Sequence, residues 1–307
     1  MLNFNAVRIP LQKITDPTIS SSGVNLYVLR LDKTHPHISG NKWYKLKYNM
    51  EEVKRQKAEV VLTFGGAYSN HIAATAAAGK EYGIKTIGII RGEELDENKN
   101  PTLRFAKECG MQLRFVSREE YRKIKIDPAN YPIAQSPNYY IIPEGGTNAP
   151  AIKGCTKIAS LIDIPFDYVC CACGTGGTLA GITISLKEKQ QAIGFSVLKA
   201  PGYHKEEIIK WLAHFHIYTS ANLHIEENYH FGGYGKHTPE LLKFISDFED
   251  QNGIPLDQVY TGKMMFGVYD LIRKNYFPKD STVIAIHTGG LQGKLRPNPT
   301  LPKGEGD

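Results

Sequence analysis

No apolar run in this chain of 307 residues reaches the roughly 18 residues that a membrane span requires. The opening MLNFNAVRIPLQKI has neither the basic start nor the apolar run of a secretory signal, so a cytoplasmic protein is expected. Cysteine is scarce: Cys109, Cys155, Cys170, Cys171 and Cys173 make an odd set of five, which points to reduced thiols rather than a disulfide frame. Cys171-x-Cys173 lacks a second Cys or His pair at ligand spacing, so no metal is expected and the two read as buried small residues. A concentrated basic stripe is also missing. The net charge is +6, but Lys and Arg are spread along the chain, which argues against nucleic acid. That balance suits a solvated surface or an anionic small ligand. No internal repeat or low-complexity segment is present.

What is there is alternation. Short apolar runs at 24–31, 59–64, 85–90, 111–116, 138–142, 167–172, 193–198 and 282–287 read as strands covered on both faces. Helical patterns lie between them near 41–56, 69–82, 101–108, 148–162, 177–189, 204–214, 238–249 and 262–274. The order predicts an α/β protein with parallel sheets. Segment 117–137 is polar and Pro-containing and reads as a connection. The tail 295–307 has three prolines and two glycines and reads as loose or draped on the surface.

Glycine-rich turns punctuate three strand ends. Gly174-Thr175-Gly176-Gly177-Thr178 follows YVCCAC and precedes a helical run. Such a turn aims backbone N–H groups at one spot, at the positive end of a helix dipole, which suits a phosphate. It also serves wherever a tight turn needs positive φ. No Gly-Lys-Ser/Thr follows, so it is not a Walker loop, and Leu179 occupies the third glycine position of the dinucleotide fingerprint. A small phosphorylated cofactor fits better than a dinucleotide. Gly65-Gly66-Ala67-Tyr68-Ser69-Asn70-His71 is a second turn, suited to a carboxylate or simply to capping a helix. His287-Thr288-Gly289-Gly290 is the third. In parallel sheets, ligands bind at these strand ends.

Ser39-Gly40-Asn41-Lys42 opens a helix, with Ser39 as the expected N-cap. A lysine in a first helical turn faces the positive dipole end, which favours the neutral amine needed to attack an aldehyde. His35-Pro36-His37 precedes it and reads as loop, and His287 reads as packing at a strand end.

Five segments in this order and spacing, SGNKWYKLKY (39–48), GGAYSNH (65–71), the loop 174–178, VYTGK (259–263) and HTGG (287–290), resemble the D-cysteine desulfhydrase and 1-aminocyclopropane-1-carboxylate deaminase family. These are pyridoxal-phosphate enzymes of the tryptophan-synthase-β fold type (fold type II). The likeness covers residues 10–292 or so. It implies two parallel-sheet domains, a large cofactor domain from 1–46 and 146–307 and a small inserted one from 47–145, in a homodimer. It implies that Lys42 is the Schiff-base lysine and that Asn70 bonds the cofactor's phenolic oxygen. Ser69 would contact the substrate carboxylate and carry a proton, with Asn70 and His71 beside it. Gly174, Thr175, Gly176, Gly177 and Thr178 would hold the phosphate, and Tyr234 and Tyr260 would be active-site tyrosines. The helix after His71 lacks the family's usual Arg-Gln pair, and Leu291-Gln292-Gly293 replaces its usual Ala-Pro-Ala. Thr261 and Thr288 stand where the desulfhydrases have threonine and the deaminases have Glu and Leu. Beside the pyridine nitrogen, these neutral groups favour β-elimination of a small D-amino acid such as D-cysteine. Ring-opening deamination of 1-aminocyclopropane-1-carboxylate and a non-catalytic cofactor-binding role are the alternatives.

Overall fold

The computed structural model describes residues 8–98, 100–126 and 138–294. In chain order its elements are β1 (Leu11–Lys13), α1 (Pro17–Ser20), β2 (Asn25–Leu29), α2 (Asn41–Arg55), β3 (Val60–Gly65), α3 (Asn70–Tyr82), β4 (Lys85–Arg91), α4 (Pro101–Glu108), β5 (Gln112–Val116), α5 (Arg118–Ile126), β6 (Tyr139–Ile142), α6 (Ala149–Cys155), β7 (Tyr168–Cys173), α7 (Gly177–Ile184), β8 (Gln191–Ser196), α8 (Tyr203–His214), β9 (Leu223–Glu226), α9 (Pro239–Asn252), α10 (Thr261–Arg273) and β10 (Thr282–Ile286).

The strands form two sheets. One has the order β1-β2-β10-β7-β8-β9 and is parallel except for β1, which runs antiparallel to β2. The other, β5-β4-β3-β6, is wholly parallel. Strands apolar on both faces need cover on both faces. In the larger sheet, Cys170, Val283 and Phe195 face α9 and α10, while Val169, Cys171 and Ile284 face α6, α7 and α8. In the smaller sheet, Val61 and Ile142 pack under α2 and α3, and Leu62 and Ile89 pack under α5. Each fully buried aliphatic side chain of this kind contributes about 1.5–3 kcal/mol. The fold is thus α/β, with two mostly parallel sheets.

The differences from expectation are local. Helix α2 runs unbroken through residues 46 and 47, and its Leu46, Met50 and Val53 join the core of the smaller sheet. Segment 117–137 begins with α5, whose Tyr121 and Ile124 are buried; residues 127–137 and the tail 295–307 lie outside the described residues. Helix α6 stops at Cys155 and α7 at Ile184, both short of the expected ends. Ser185 then turns its hydroxyl back onto the Ile182 carbonyl at 2.7 Å. No helix among the described residues is long and apolar enough to cross a membrane.

Candidate active site

The carboxyl ends of β3, β7 and β10 converge on one cavity of about 770 Å³, and residues of all three glycine turns line it. Lys42 is the second residue of α2 and lines the floor, its Nζ donating to the Gly145 carbonyl at 3.2 Å. Burial, and then the neighbouring Lys45 ammonium, hold its amine well below the ordinary lysine range. Ser39 is not the N-cap. Gly40 takes that position at φ 70°, and the Ser39 hydroxyl donates to the Asp32 carbonyl at 3.3 Å. Crowding is the reason: a Cβ on Gly40 would lie 1.8 Å from the Thr288 carbonyl oxygen, which also accepts from Asn41 N. The third glycine turn and the start of the lysine helix therefore lock together.

The 174–178 loop closes around the next corner. Gly176 is the N-cap of α7 at φ 75°, a left-handed conformation that side chains resist. Beyond it, the first-turn N–H groups of α7 have no partner within the helix. Gly174, Thr175, Gly176 and Thr178 line the cavity, whereas Gly177 lies against Thr147. Asn41, a residue the motif reading passed over, donates from Nδ2 to Thr178 Oγ1 at 2.8 Å and so ties the lysine helix to this loop. Lys45 was passed over as well. Its spacing from Lys42, three residues along one helix face, was the available signal. Its Nζ donates to the Gly145 carbonyl (3.0 Å) and Thr147 Oγ1 (2.9 Å), and Thr147 Oγ1 lies 2.6 Å from Thr175 Oγ1. A chain of donors thus runs from the lysine pair to the loop. On its far side, the ring Nε2 of His204 lies 2.9 Å from the Gly174 carbonyl.

Ser69 caps α3, its Oγ accepting from Ile72 N at 3.3 Å. Asn70 follows, and its Oδ1 is buried without a partner in the protein. An orphaned amide in a cavity wall is a group awaiting a ligand. His71 is buried yet also borders the cavity; Thr63 donates its one hydroxyl proton to the Ile142 carbonyl, so His71 Nε2 carries the proton it shares with Thr63 Oγ1 at 2.7 Å. Burial and the two lysines push its pKa well down, and a neutral ring follows.

Tyr260 and Tyr234 face each other with hydroxyls 3.3 Å apart. Burial, then Tyr234, raises the Tyr260 hydroxyl well above its usual range, keeping it protonated. Thr288 lines the cavity, but Thr261 does not. Thr261 is fully buried and its hydroxyl donates to Asp257 Oδ1 at 2.7 Å while accepting from Asp257 N at 3.0 Å. A hydroxyl so engaged, behind the cavity wall, has no proton left for a ring nitrogen. His35 stacks on Trp43 and pairs with Glu81, away from the cavity, and His287 is buried with Nε2 on the Pro255 carbonyl. Cys171 and Cys173 are buried in the core beneath the loop, their thiols pushed up by burial, that of Cys173 to about 12. At the mouth, the Arg91 guanidinium lies over the Tyr121 ring, whose hydroxyl donates to Glu144 at 2.8 Å.

A lysine with a suppressed charge, an orphaned amide oxygen lining the same cavity and a glycine cradle at a helix start fit a phosphorylated aldehyde. The family model described as "Pyridoxal-phosphate dependent enzyme" matches residues 6–289. A bifunctional D-cysteine desulfhydrase/1-aminocyclopropane-1-carboxylate deaminase of Arabidopsis thaliana, described as mitochondrial, is 32% identical over 89% of this chain and 74% of its own. A putative 1-aminocyclopropane-1-carboxylate deaminase of Pyrococcus furiosus is 33% identical over 92% of this chain and 90% of its own. A crystal structure described as an ACC deaminase homologue superimposes with a TM-score of 0.80 at 28% identity, covering 95% of this chain and 92% of that one.

Proposed function

The chain belongs to the pyridoxal-phosphate dependent enzyme family, and from that membership we propose that it removes the β-substituent of a small D-amino acid, converting D-cysteine and water to pyruvate, ammonia and hydrogen sulfide. Pyridoxal phosphate is the cofactor. The residues present fit it: Lys42 would hold the aldehyde carbon, Gly174, Thr175, Gly176 and Thr178 the phosphate, and Asn70 the phenolic oxygen. When bound, the cofactor supplies an electron sink for charge left at Cα. The protein supplies position and protons. The amides of the 65–69 turn and the Ser69 hydroxyl would bind the substrate carboxylate. The Lys42 amine, its charge disfavoured by burial, would accept the Cα proton once the substrate amine has released it. Tyr260, protonated and coupled to Tyr234, would deliver a proton to the departing sulfur. The enamine so released hydrolyses in water.

One observation carries elimination over ring opening: position 261, where the deaminases carry Glu, is a threonine whose hydroxyl is committed to Asp257. Thr288, where the deaminases have Leu, lines the cavity at the third glycine turn, while neither Thr261 nor Asp257 does. A carboxylate there would keep the pyridine nitrogen protonated and the ring strongly electron-withdrawing. Expulsion of thiolate disposes of the charge at Cβ and needs less of that pull. The Pyrococcus relative's name favours ring opening as the second reading. Turnover of D-cysteine (sulfide and pyruvate) and of 1-aminocyclopropane-1-carboxylate (2-oxobutyrate) on one holoenzyme preparation separates the two; faster release of 2-oxobutyrate overturns the first. We assign residues 1–46 and 146–307 to a larger unit and 47–145 to a smaller one, because the strands of the four-stranded sheet fall within 60–142. A cytoplasmic homodimer is the expected setting, checked by light scattering and cell fractionation.

A further inference from the structure

Lys263 is 0% exposed and sits in the first turn of α10. A cation there costs on two counts: it is out of water, and it lies at the positive end of a helix dipole. An apolar side chain of similar length would avoid both costs. What its ammonium does is specific. Nζ donates to the His230 carbonyl and to the Gly233 carbonyl, each at 2.8 Å. Both acceptors belong to the loop that carries Tyr234, and Gly233 is its immediate neighbour. The backbone here is rich in glycine, with Gly232, Gly233 and Gly235 around a Tyr234 that is 48% exposed, and the two carbonyls also accept from Gly233 N (3.0 Å) and Lys236 N (3.1 Å), so the ammonium ties together two turns of the loop. The same helical turn presents Tyr260 at its N-cap. The two tyrosines thus reach their 3.3 Å separation from different segments; Phe231 against Phe266 and Tyr229 on Asp270 join those segments farther along α10, and Lys263 joins them beside the pair.

We propose that Lys263 is a positioning residue that fixes the Tyr234 loop against the start of α10 and thereby sets the Tyr234–Tyr260 hydroxyl pair. This rests on the reading above in which that pair handles a proton. Burial lowers the Lys263 ammonium to about 8, and the Asp257 carboxylate opposes the shift, so near neutrality the charged, three-donor form prevails. Charge-assisted donors hold carbonyls more firmly than neutral ones.

The test is a double-mutant cycle on the holoenzyme with D-cysteine. Lys263→Met keeps the stem and removes the donors. The expected results are a fold and a cofactor affinity within about twofold of the parent, and a kcat lowered about 10- to 100-fold, as in Tyr234→Phe. The double variant should be no slower than Tyr234→Phe alone, because a hydroxyl that is already misplaced has nothing more to lose. A purely structural lysine gives multiplicative losses in the double variant, or a loss that tracks melting temperature, and either overturns the proposal. Should Lys263→Met not fold, Lys263→Leu, which likewise lacks donors, takes its place in the cycle with the same criteria. Full activity in Tyr234→Phe would sink the role of the tyrosine pair as well as that of Lys263. Slow Tyr234→Phe with an unimpaired Lys263 variant sinks only the inference about Lys263.

Discussion

The amine of Lys42 is buried beside a second buried amine, and that arrangement has a pH signature. Its folded-state pKa lies well below 10.5. Between the two values, the unfolded chain binds a proton that the folded chain does not, so stability rises with pH across that window. Urea unfolding of the cofactor-free protein should show a steeper gain from pH 7 to 10 than the Lys42→Met variant does. Equal slopes would mean that the amine is not suppressed. Lys42→Ala should also abolish the visible absorbance of bound cofactor, and borohydride followed by peptide mapping should label Lys42 in the parent protein. A label on another lysine refutes the assignment. Thr261 makes a contrasting case. Thr261→Val leaves the buried Asp257 N–H without its acceptor and removes one of two donors to Asp257 Oδ1, a loss of about 1–3 kcal/mol in stability. Cofactor affinity should barely move, since this hydroxyl lies behind the wall. A tenfold loss of affinity at unchanged stability would return Thr261 to the cofactor.

Among the elements, the strand-turn-helix units were the legible part. β3, β7 and β10 are continuous apolar runs, and each glycine turn after them was readable as a ligand-facing corner. β1 and β9 were not, because three and four residues carry too little pattern and β9 reads Leu-His-Ile-Glu, half polar at a sheet edge. α5 was hidden in a polar segment, since only Tyr121 and Ile124 mark its apolar face among the residues whose side chains are described. The Ser39 cap failed for a tertiary reason: the backbone of Thr288, far along the chain, left room only for glycine at 40. Asn41 and Lys45 escaped because their partners, Thr178 and Gly145, come from other parts of the chain. Gly176 offers the element-scale test. Gly176→Val forces a β-branched residue into left-handed φ at a strain of about 1–2 kcal/mol, and the loop should relax away from the phosphate position. Gly253, the cap of α9 at φ 64°, supplies the control. Both Val variants should lose comparable stability, but only that at 176 should lose cofactor affinity, at least tenfold by titration. Equal affinities would dismiss the loop.

At the scale of the whole molecule, the cavity joins the two sheets. α2 packs on the smaller sheet yet bonds the loop of the larger one through Asn41 and Thr178. A ligand filling this seam should stabilise both sheets together. At a free cofactor concentration a hundredfold above Kd the gain is about 2.7 kcal/mol, or roughly 4–8 °C in melting temperature, as one transition. Calorimetry with and without pyridoxal phosphate measures it, and two separating transitions would show the sheets to be uncoupled. The last consequence concerns the thiols under that seam. Cys170, Cys171 and Cys173 are fully buried, and their pKa values are displaced upward by burial. Exchange and oxidation proceed through thiolate, so burial that disfavours the thiolate should slow both at these three sulfurs. While the protein stays folded, reactive sulfur species should therefore find little thiolate beneath the 174–178 loop.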